Sequence, residues 1–411
     1  MKIYISGISG TGMGPLALMA KAAGFDVCGS DLSKGAIYDE LIKAGIEVYI
    51  GEQDGEFLKR KLEGLDWFCY TSALKDTHME LVTARKAGVK CTKRDDLTAY
   101  LVEKLGLKMI AVAGTHGKTT TTAMIIWAAI RLKVPVSYIV GTTLGFAPSG
   151  AYHPGDKYFV YEADEYDRNF LKYHPWLSVI TVIDYDHPDI YPTRQDYEVA
   201  FTQFKRQSEN VIDVPAMETE RFKLAGEARR YDASLAFSAM QMVMPDVDSK
   251  KLVEILNRFP GVGRRLEKIT DGLYTDYAHH PDEIRATVGV ALEQAEMDGK
   301  KGVVVIYQPH QNTRQYAVRE GYKDAFLGVE RVLWLPTYLT REDPDLPVLT
   351  AQELASELKN KEVVEIVELD QALEDEVQEY LRQGYLVILM TAGPADGWLR
   401  QKFAGKENSI G

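Results

Sequence analysis

Lys118 follows Gly114, Thr115, His116 and Gly117 and precedes Thr119 and Thr120, a set of residues suited to holding phosphate. The apolar run Met109-Ile110-Ala111-Val112-Ala113 before it reads as a strand, and apolar residues at helical spacing follow the threonines. A loop between strand and helix can turn its backbone N–H groups to an anion. Lys118 adds a point charge, and Thr119 adds a hydroxyl for Mg²⁺. The Walker spacing G-x-x-x-x-G-K-[ST] would put its first glycine at Ala111 or Val112, so the loop is a tighter G-x-x-G-K-[ST]-[ST] form.

Two acidic strand ends accompany it: Glu162-Ala163-Asp164-Glu165-Tyr166-Asp167 after Lys157–Tyr161, and Asp184-Tyr185-Asp186-His187-Pro188-Asp189 after Leu177–Ile183. Carboxylates and a histidine at the carboxyl ends of strands beside a phosphate loop suit a nucleotide-bound Mg²⁺. Without the loop, a solvated acidic cluster would be the natural reading of Glu162. Further along, three strand ends carry polar groups: Asp276-Tyr277-Ala278-His279-His280-Pro281, Gln308-Pro309-His310 with Arg314, and Thr391-Ala392-Gly393. Three such ends suggest a site along one edge of a sheet. The plainer alternatives are a capping role for His279-His280 before a helix starting at Pro281, and a core imidazole for His310.

The elements that must position these groups alternate between strand and helix along the whole chain, which predicts open parallel sheets. At 411 residues, two to three domains are expected, with divisions at 1–107, 108–262 and 263–411; Pro260-Gly261-Val262-Gly263 punctuates the second. Residues 205–260 read as compact and helical in tone. A formal charge of −12 argues against a general nucleic-acid or anionic-membrane binder. Cys28, Cys69 and Cys91 have no C-x-x-C spacing and read as buried thiols of a reducing cytoplasm. No run approaches the roughly 18 apolar residues of a membrane span.

The first turn reads Gly7-Ile8-Ser9-Gly10-Thr11-Gly12-Met13-Gly14, and Asp31 ends the second strand. A dinucleotide fingerprint fails in this frame, because Gly10-x-Gly12-x-x-Pro15 ends on proline; a diphosphate at the helix N-terminus fits better than a nicotinamide cofactor.

Taken in order, GISGTGMG, Ser30-Asp31, AGTHGKTTTT, EADEYD, DHPD, PGVGRRLE, DYAHHPDE and YQPH with TR resemble the Mur ligases over nearly the whole chain. The resemblance implies an α/β fold of three domains: a Rossmann-like N-terminal domain for a UDP-sugar, a central P-loop ATPase-type parallel sheet, and a Rossmann-like C-terminal domain that helps bind ATP and the amino acid. It implies an ATP-dependent ligase that joins an amino acid, with L-alanine expected, to the carboxylate of UDP-N-acetylmuramate through an acyl phosphate. ATP and Mg²⁺ are the implied cofactors, and the protein would be a cytoplasmic monomer or homodimer.

Residue by residue, the resemblance puts Lys118 on the β/γ-phosphates, Thr119 and Glu162 on one Mg²⁺, and His187 on a second. His116 would face the transferred group. Gly10, Thr11, Gly12 and Met13 would meet the UDP diphosphate, with Ser72 and Arg94 near the sugar nucleotide. Asp276 would lie by the ATP ribose and Arg265 near ATP, while Tyr277, His279, His280, His310 and Arg314 would surround the amino acid.

Three departures stand out. The family pattern G-x-H-N-x-x-N-A is met by Gly226-Glu227-Ala228-Arg229-Arg230-Tyr231-Asp232-Ala233. An ionised Asp232 accepts from an adenine amino group but cannot donate to N7, so a changed base preference or weaker ATP binding is expected. A β-rich extension near 210–225 is nearly absent, and Ser9 stands where the family has another glycine. The competing readings are a peptide-adding recycling ligase on the same sugar nucleotide and a non-catalytic sugar-nucleotide sensor with a decayed adenine pocket.

Overall fold

The computed structural model describes residues 1–71, 74–185, 190–340, 342–343 and 345–403. They form two compact units, one of Met1–Lys223 with Ala228–Phe259, the other of Leu224–Glu227 with the chain from Pro260 onward. The fold is α/β, with three sheets, two in the first unit and one in the second.

In the first sheet β1 (Lys2–Ser6), β2 (Asp26–Asp31), β3 (Glu47–Ile50), β4 (Trp67–Tyr70) and β5 (Lys90–Lys93) are all parallel in the order β3-β2-β1-β4-β5. The central β1 reads as a continuous apolar run because helices cover both faces; Ile3, Tyr4 and Ile5 are fully buried. Reversal of strand order at β1 opens a crevice at its carboxyl end, where the glycine-rich turn lies.

The second sheet holds β6 (Lys108–Ala113), β7 (Val136–Ile139), β8 (Gly150–Ala151), β9 (Tyr158–Glu162), β10 (Leu177–Ile180) and β11 (Asn210–Ile212), ordered β11-β10-β6-β9-β7-β8. All pairs are parallel except β7–β8. This order places β6, which feeds the phosphate loop, between β10 and β9, which end in the two acidic segments. The first two sheets share one apolar core, in which Met109 and Ala111 of β6 cluster with Ile3, Leu16 and Trp67.

The helical reading of 205–260 needs one correction. The helix Arg194–Arg206 ends there, and Asn210–Ile212 joins β10 as a parallel edge strand. The amides of Glu209 and Asn210 donate to Pro175 and Trp176 carbonyls (3.0 and 3.1 Å), so tertiary pairing overrides the local helical tendency. Only this strand and a single turn at Thr219–Arg221 lie where the β-rich extension would be. Beyond them, the helices Glu227–Val243 and Ser249–Asn257 complete the unit.

The third sheet contains β12 (Glu267–Thr270), β13 (Leu273–Asp276), β14 (Val303–Gln308), β15 (Arg331–Trp334), β16 (Val364–Ile366) and β17 (Leu386–Thr391), ordered β12-β13-β17-β14-β15-β16. Only β12–β13 is antiparallel. Strands β13, β17 and β14 are immediate neighbours, so the three polar strand ends share one edge. No helix among the described residues is long and apolar enough to cross a membrane.

Candidate active site

The phosphate loop is shaped by two glycines. Gly114 has φ +145°, and a Cβ there would lie 2.0 Å from Thr181 Oγ1; Gly117 has φ +83° and would meet Asp232 Oδ1 at 2.4 Å. No other side chain fits either position without moving its neighbours. The loop is tied to the end of β10: the Thr115 amide donates to the Val182 carbonyl (2.7 Å), and the Thr115 hydroxyl lies 2.6 Å from the Asp184 carbonyl and 2.8 Å from the Tyr197 hydroxyl. The helix Lys118–Leu132 then starts at Gly117 and points its free amides into the loop. Thr120 lies in its first turn.

Lys118 folds over this loop. Its Nζ donates to the Gly114 carbonyl (2.6 Å) and reaches both carboxylate oxygens of Glu165, at 3.0 and 2.8 Å. Glu165 is almost wholly buried, and burial, opposed by Lys118, holds its carboxyl above the ordinary range. Thr119 turns the other way and donates to Glu162 Oε1 at 2.7 Å. Glu162 Oε2 is buried with no hydrogen-bond partner among the described residues. A hydroxyl beside a carboxylate with one orphaned buried oxygen suits a hard divalent cation, so these two residues fit Mg²⁺. His116 is exposed, with Nε2 3.5 Å from Asp184 Oδ2. His187 lies outside the described residues, as does Ser72.

Asp232 is buried against the phosphate loop itself, beside Gly117, where Oδ1 accepts from the Thr121 hydroxyl at 3.1 Å. Its carboxylate therefore places negative charge at the amino end of the phosphate-binding helix.

In the first sheet, Gly7 and Ile8 amides donate to the Ser30 carbonyl, and the Met13 and Gly14 amides to Gly10, closing the turn that carries Gly10, Thr11, Gly12 and Met13. Ser9 spans this turn: its amide and hydroxyl both donate to Asp31 Oδ2 (2.9 and 2.7 Å). The serine that departs from the glycine pattern thus occupies the acidic end of β2. Arg94 faces the same turn, its Nη1 3.5 Å from where a Gly12 Cβ would be. Beneath it all, buried Glu80 accepts from Tyr4, Ser6 and Ser30 hydroxyls, a role its sequence setting did not signal.

In the second unit, the rings of Tyr277 and His279 lie 5.4 Å apart, those of His279 and His310 5.9 Å, and that of His310 is 5.7 Å from Tyr338. His279 Nδ1 lies 3.0 Å from the Tyr277 carbonyl, which can only accept, so Nδ1 is the donor and a neutral ring carries its lone pair on Nε2. Arg314 Nη1 is buried without a hydrogen-bond partner among the described residues and suits a carboxylate. Tyr277, His279 and His310 are thus brought together. His280 instead caps the helix Pro281–Met297, with Glu283 completing the capping box, so the capping reading is realised for this residue.

Asp276, expected at a ribose, is engaged internally: Oδ2 accepts from the Leu266 amide (2.8 Å), and Oδ1 from the Ala278 amide (2.9 Å) and Thr287 hydroxyl (3.2 Å). Burial raises its carboxyl above the usual range, against these donors. Arg265 is exposed, while Arg264, at φ +52°, lies over the Tyr277 ring at 4.4 Å.

A phosphate loop beside a hydroxyl–carboxylate pair, in one chain with a histidine- and arginine-bearing sheet edge, fits an ATP-dependent ligase of acids and amines. Three family models match in succession: Mur ligase family, catalytic domain, over residues 2–104; Mur ligase middle domain over 112–240; and Mur ligase, glutamate ligase domain, over 264–393. A UDP-N-acetylmuramate–L-alanine ligase of Fusobacterium nucleatum is 30% identical, with 88% of each chain covered. This chain belongs to the Mur ligase family. Its fold is shared with a UDP-N-acetylmuramate–alanine ligase of Thermotoga maritima (TM-score 0.75, 23% identity, 98% of both chains). It is also shared, less closely, with a murein peptide ligase of Psychrobacter arcticus (TM-score 0.56, 20% identity, 98% of both chains).

Proposed function

We propose that this ligase joins L-alanine to the carboxylate of UDP-N-acetylmuramate at the expense of ATP, with 1–107 holding the sugar nucleotide, 108–262 the ATP and 263–411 the amino acid. The observation that carries the reading is the Thr119–Glu162 pair, whose orphaned carboxylate oxygen lies at the start of the helix that carries Lys118. A carboxylate is a poor acyl donor, because oxide is a very bad leaving group. Its oxygen therefore attacks the γ-phosphorus, the bond from that phosphorus to the β-phosphate oxygen breaks, and ADP leaves an acyl phosphate. Lys118 and the loop amides neutralise charge on the transferred group. One Mg²⁺ held by Thr119 and Glu162, and a second held by His187, would screen the two anions from one another.

The amine then attacks the acyl carbon, the tetrahedral intermediate expels phosphate, and the nitrogen sheds a proton. His279 Nε2, left with the lone pair by the Nδ1 contact to Tyr277, is the acceptor we assign, and Arg314 receives the amino-acid carboxylate. Arg265 remains assigned to ATP, whereas Asp232, held beside Gly117 and Thr121, and Asp276, held by three internal donors, are assigned to neither base nor ribose. The test is phosphate release from ATP and Mg²⁺ with UDP-N-acetylmuramate and, in turn, L-alanine, glycine, L-serine and a tripeptide. Release with L-alanine above the others is expected. Preference for the tripeptide would make this a recycling ligase, and sugar-nucleotide binding without any release would make it a sensor.

A further inference from the structure

The turn that presents His310 and Arg314 has an unusual backbone. Gln311 sits at φ +63°, ψ +115°, a conformation a side-chain-bearing residue adopts only when its surroundings hold it there. Gln315 grips this turn twice: its amide N–H donates to the Gln311 carbonyl (3.2 Å) and its side-chain Nε2 to the His310 carbonyl (3.1 Å). That second bond requires the side-chain amide to point its oxygen away, where Oε1 accepts from the Tyr322 hydroxyl at 2.6 Å.

The direction of the bond between the two hydroxyls follows by elimination, with the His279 carbonyl a longer contact of Tyr307 at 3.4 Å. Tyr322 has spent its single proton on an oxygen that can only accept, so the 2.7 Å contact between the Tyr307 and Tyr322 hydroxyls uses the proton of Tyr307. The chain runs Tyr307 to Tyr322 to Gln315 to the His310 carbonyl. All three side chains are fully buried, and both phenol rings pack on Trp334 and Phe326 or on Trp334 alone. Burial pushes both phenols above their ordinary value, so each keeps its proton at neutral pH. With all three side chains fully buried, bulk solvent is not at hand to replace a missing link.

We infer that Tyr307, Tyr322 and Gln315 are positioning residues for the amino-acid substrate, acting as a one-way hydrogen-bond chain that holds the strained His310–Gln311 turn. The inference rests on reading this sheet edge as the amino-acid site. Tyr322→Phe breaks the chain at its middle with almost no change of shape.

The experiment uses the full-length protein with ATP, Mg²⁺, UDP-N-acetylmuramate and varied L-alanine, alongside amide hydrogen exchange without substrates. The expected result is a rise in KM for L-alanine of about ten-fold, with KM for ATP and the sugar nucleotide within about two-fold. Exchange should quicken at Gln311 to Gln315 and stay unchanged in β14 at Val303 to Ile306. An unchanged KM for L-alanine, or exchange that quickens equally in β14, overturns the inference. Gln315→Met, which removes only the last link, provides the same comparison if Tyr322→Phe does not fold. If the unmodified enzyme releases no phosphate with any amino acid, the ligase reading fails, while the exchange comparison still decides whether the chain holds the turn.

Discussion

Lys118 and Glu165 form a buried ion pair across the phosphate loop, with Nζ 2.8 Å from one carboxylate oxygen and 3.0 Å from the other. The lysine assigned to the phosphates is thus already held by a carboxylate of the neighbouring strand end. Tyr191 donates to the Glu165 carbonyl (2.6 Å), fixing the carboxylate's own backbone. Removing either partner leaves the other charge in a desolvated site.

Lys118→Met should therefore cost about 3–5 kcal/mol of stability as well as turnover. Adding Glu165→Gln should restore most of the stability and none of the activity. The pH dependence has a definite sign. Folded Glu165 has a raised pKa, so the folded state holds its proton more tightly than the unfolded chain does. Its penalty is full at neutral pH, shrinks as pH falls through the folded value, and vanishes below the ordinary carboxylate range of about 4.3. Thermal unfolding of the lysine variant from pH 8 to pH 5 should show its deficit narrowing; a constant deficit would contradict the buried pair.

Glu162→Gln keeps the shape of the side chain but removes the charge beside the Thr119 hydroxyl. The Mg²⁺ concentration for half-maximal phosphate release should rise about 10–100-fold, with little change in Tm. An unaltered Mg²⁺ titration would remove Glu162 from the metal site.

Asp232→Asn should lower KM for ATP by about three- to ten-fold, since it withdraws a negative charge from beside Gly117 while keeping an oxygen for Thr121. Steady-state kinetics with ATP and GTP would check this. A rise in KM for ATP would instead show that the carboxylate itself holds the base.

Asp276→Asn places an amide where three donors now converge, so one of them loses its acceptor. A stability loss of about 1–3 kcal/mol with unchanged KM for ATP is expected. The reverse pattern, a higher KM at constant Tm, would return this residue to the ribose.

Much of the chemistry was legible in residue order. The phosphate loop is a local device: its glycines, lysine and threonines act within seven positions, so their spacing alone carries their purpose. Thr119 and Glu162 could be paired from sequence because acids at the ends of strands flanking such a loop have few other uses. The second strand's acid was legible too, but not that Ser9 would occupy it. His280 showed its capping role in the proline that follows it, whereas the tautomer of His279 depends on a carbonyl two residues back that only folding aims.

What tertiary structure decided are contacts between residues far apart in the chain. Strand order puts β6 between β10 and β9, and only that order brings Glu165 to Lys118 and makes the pair buried. Asp232 reaches Thr121 across 111 positions, which moves an expected base contact to the phosphate loop. The hydrogen-bond chain of Tyr307, Tyr322 and Gln315 is invisible in sequence, where two tyrosines and a glutamine among apolar residues look like ordinary core and surface. Spacing encodes what a backbone segment does by itself; which charge or hydroxyl meets it depends on packing, because burial sets both the neighbour and the strength of the bond.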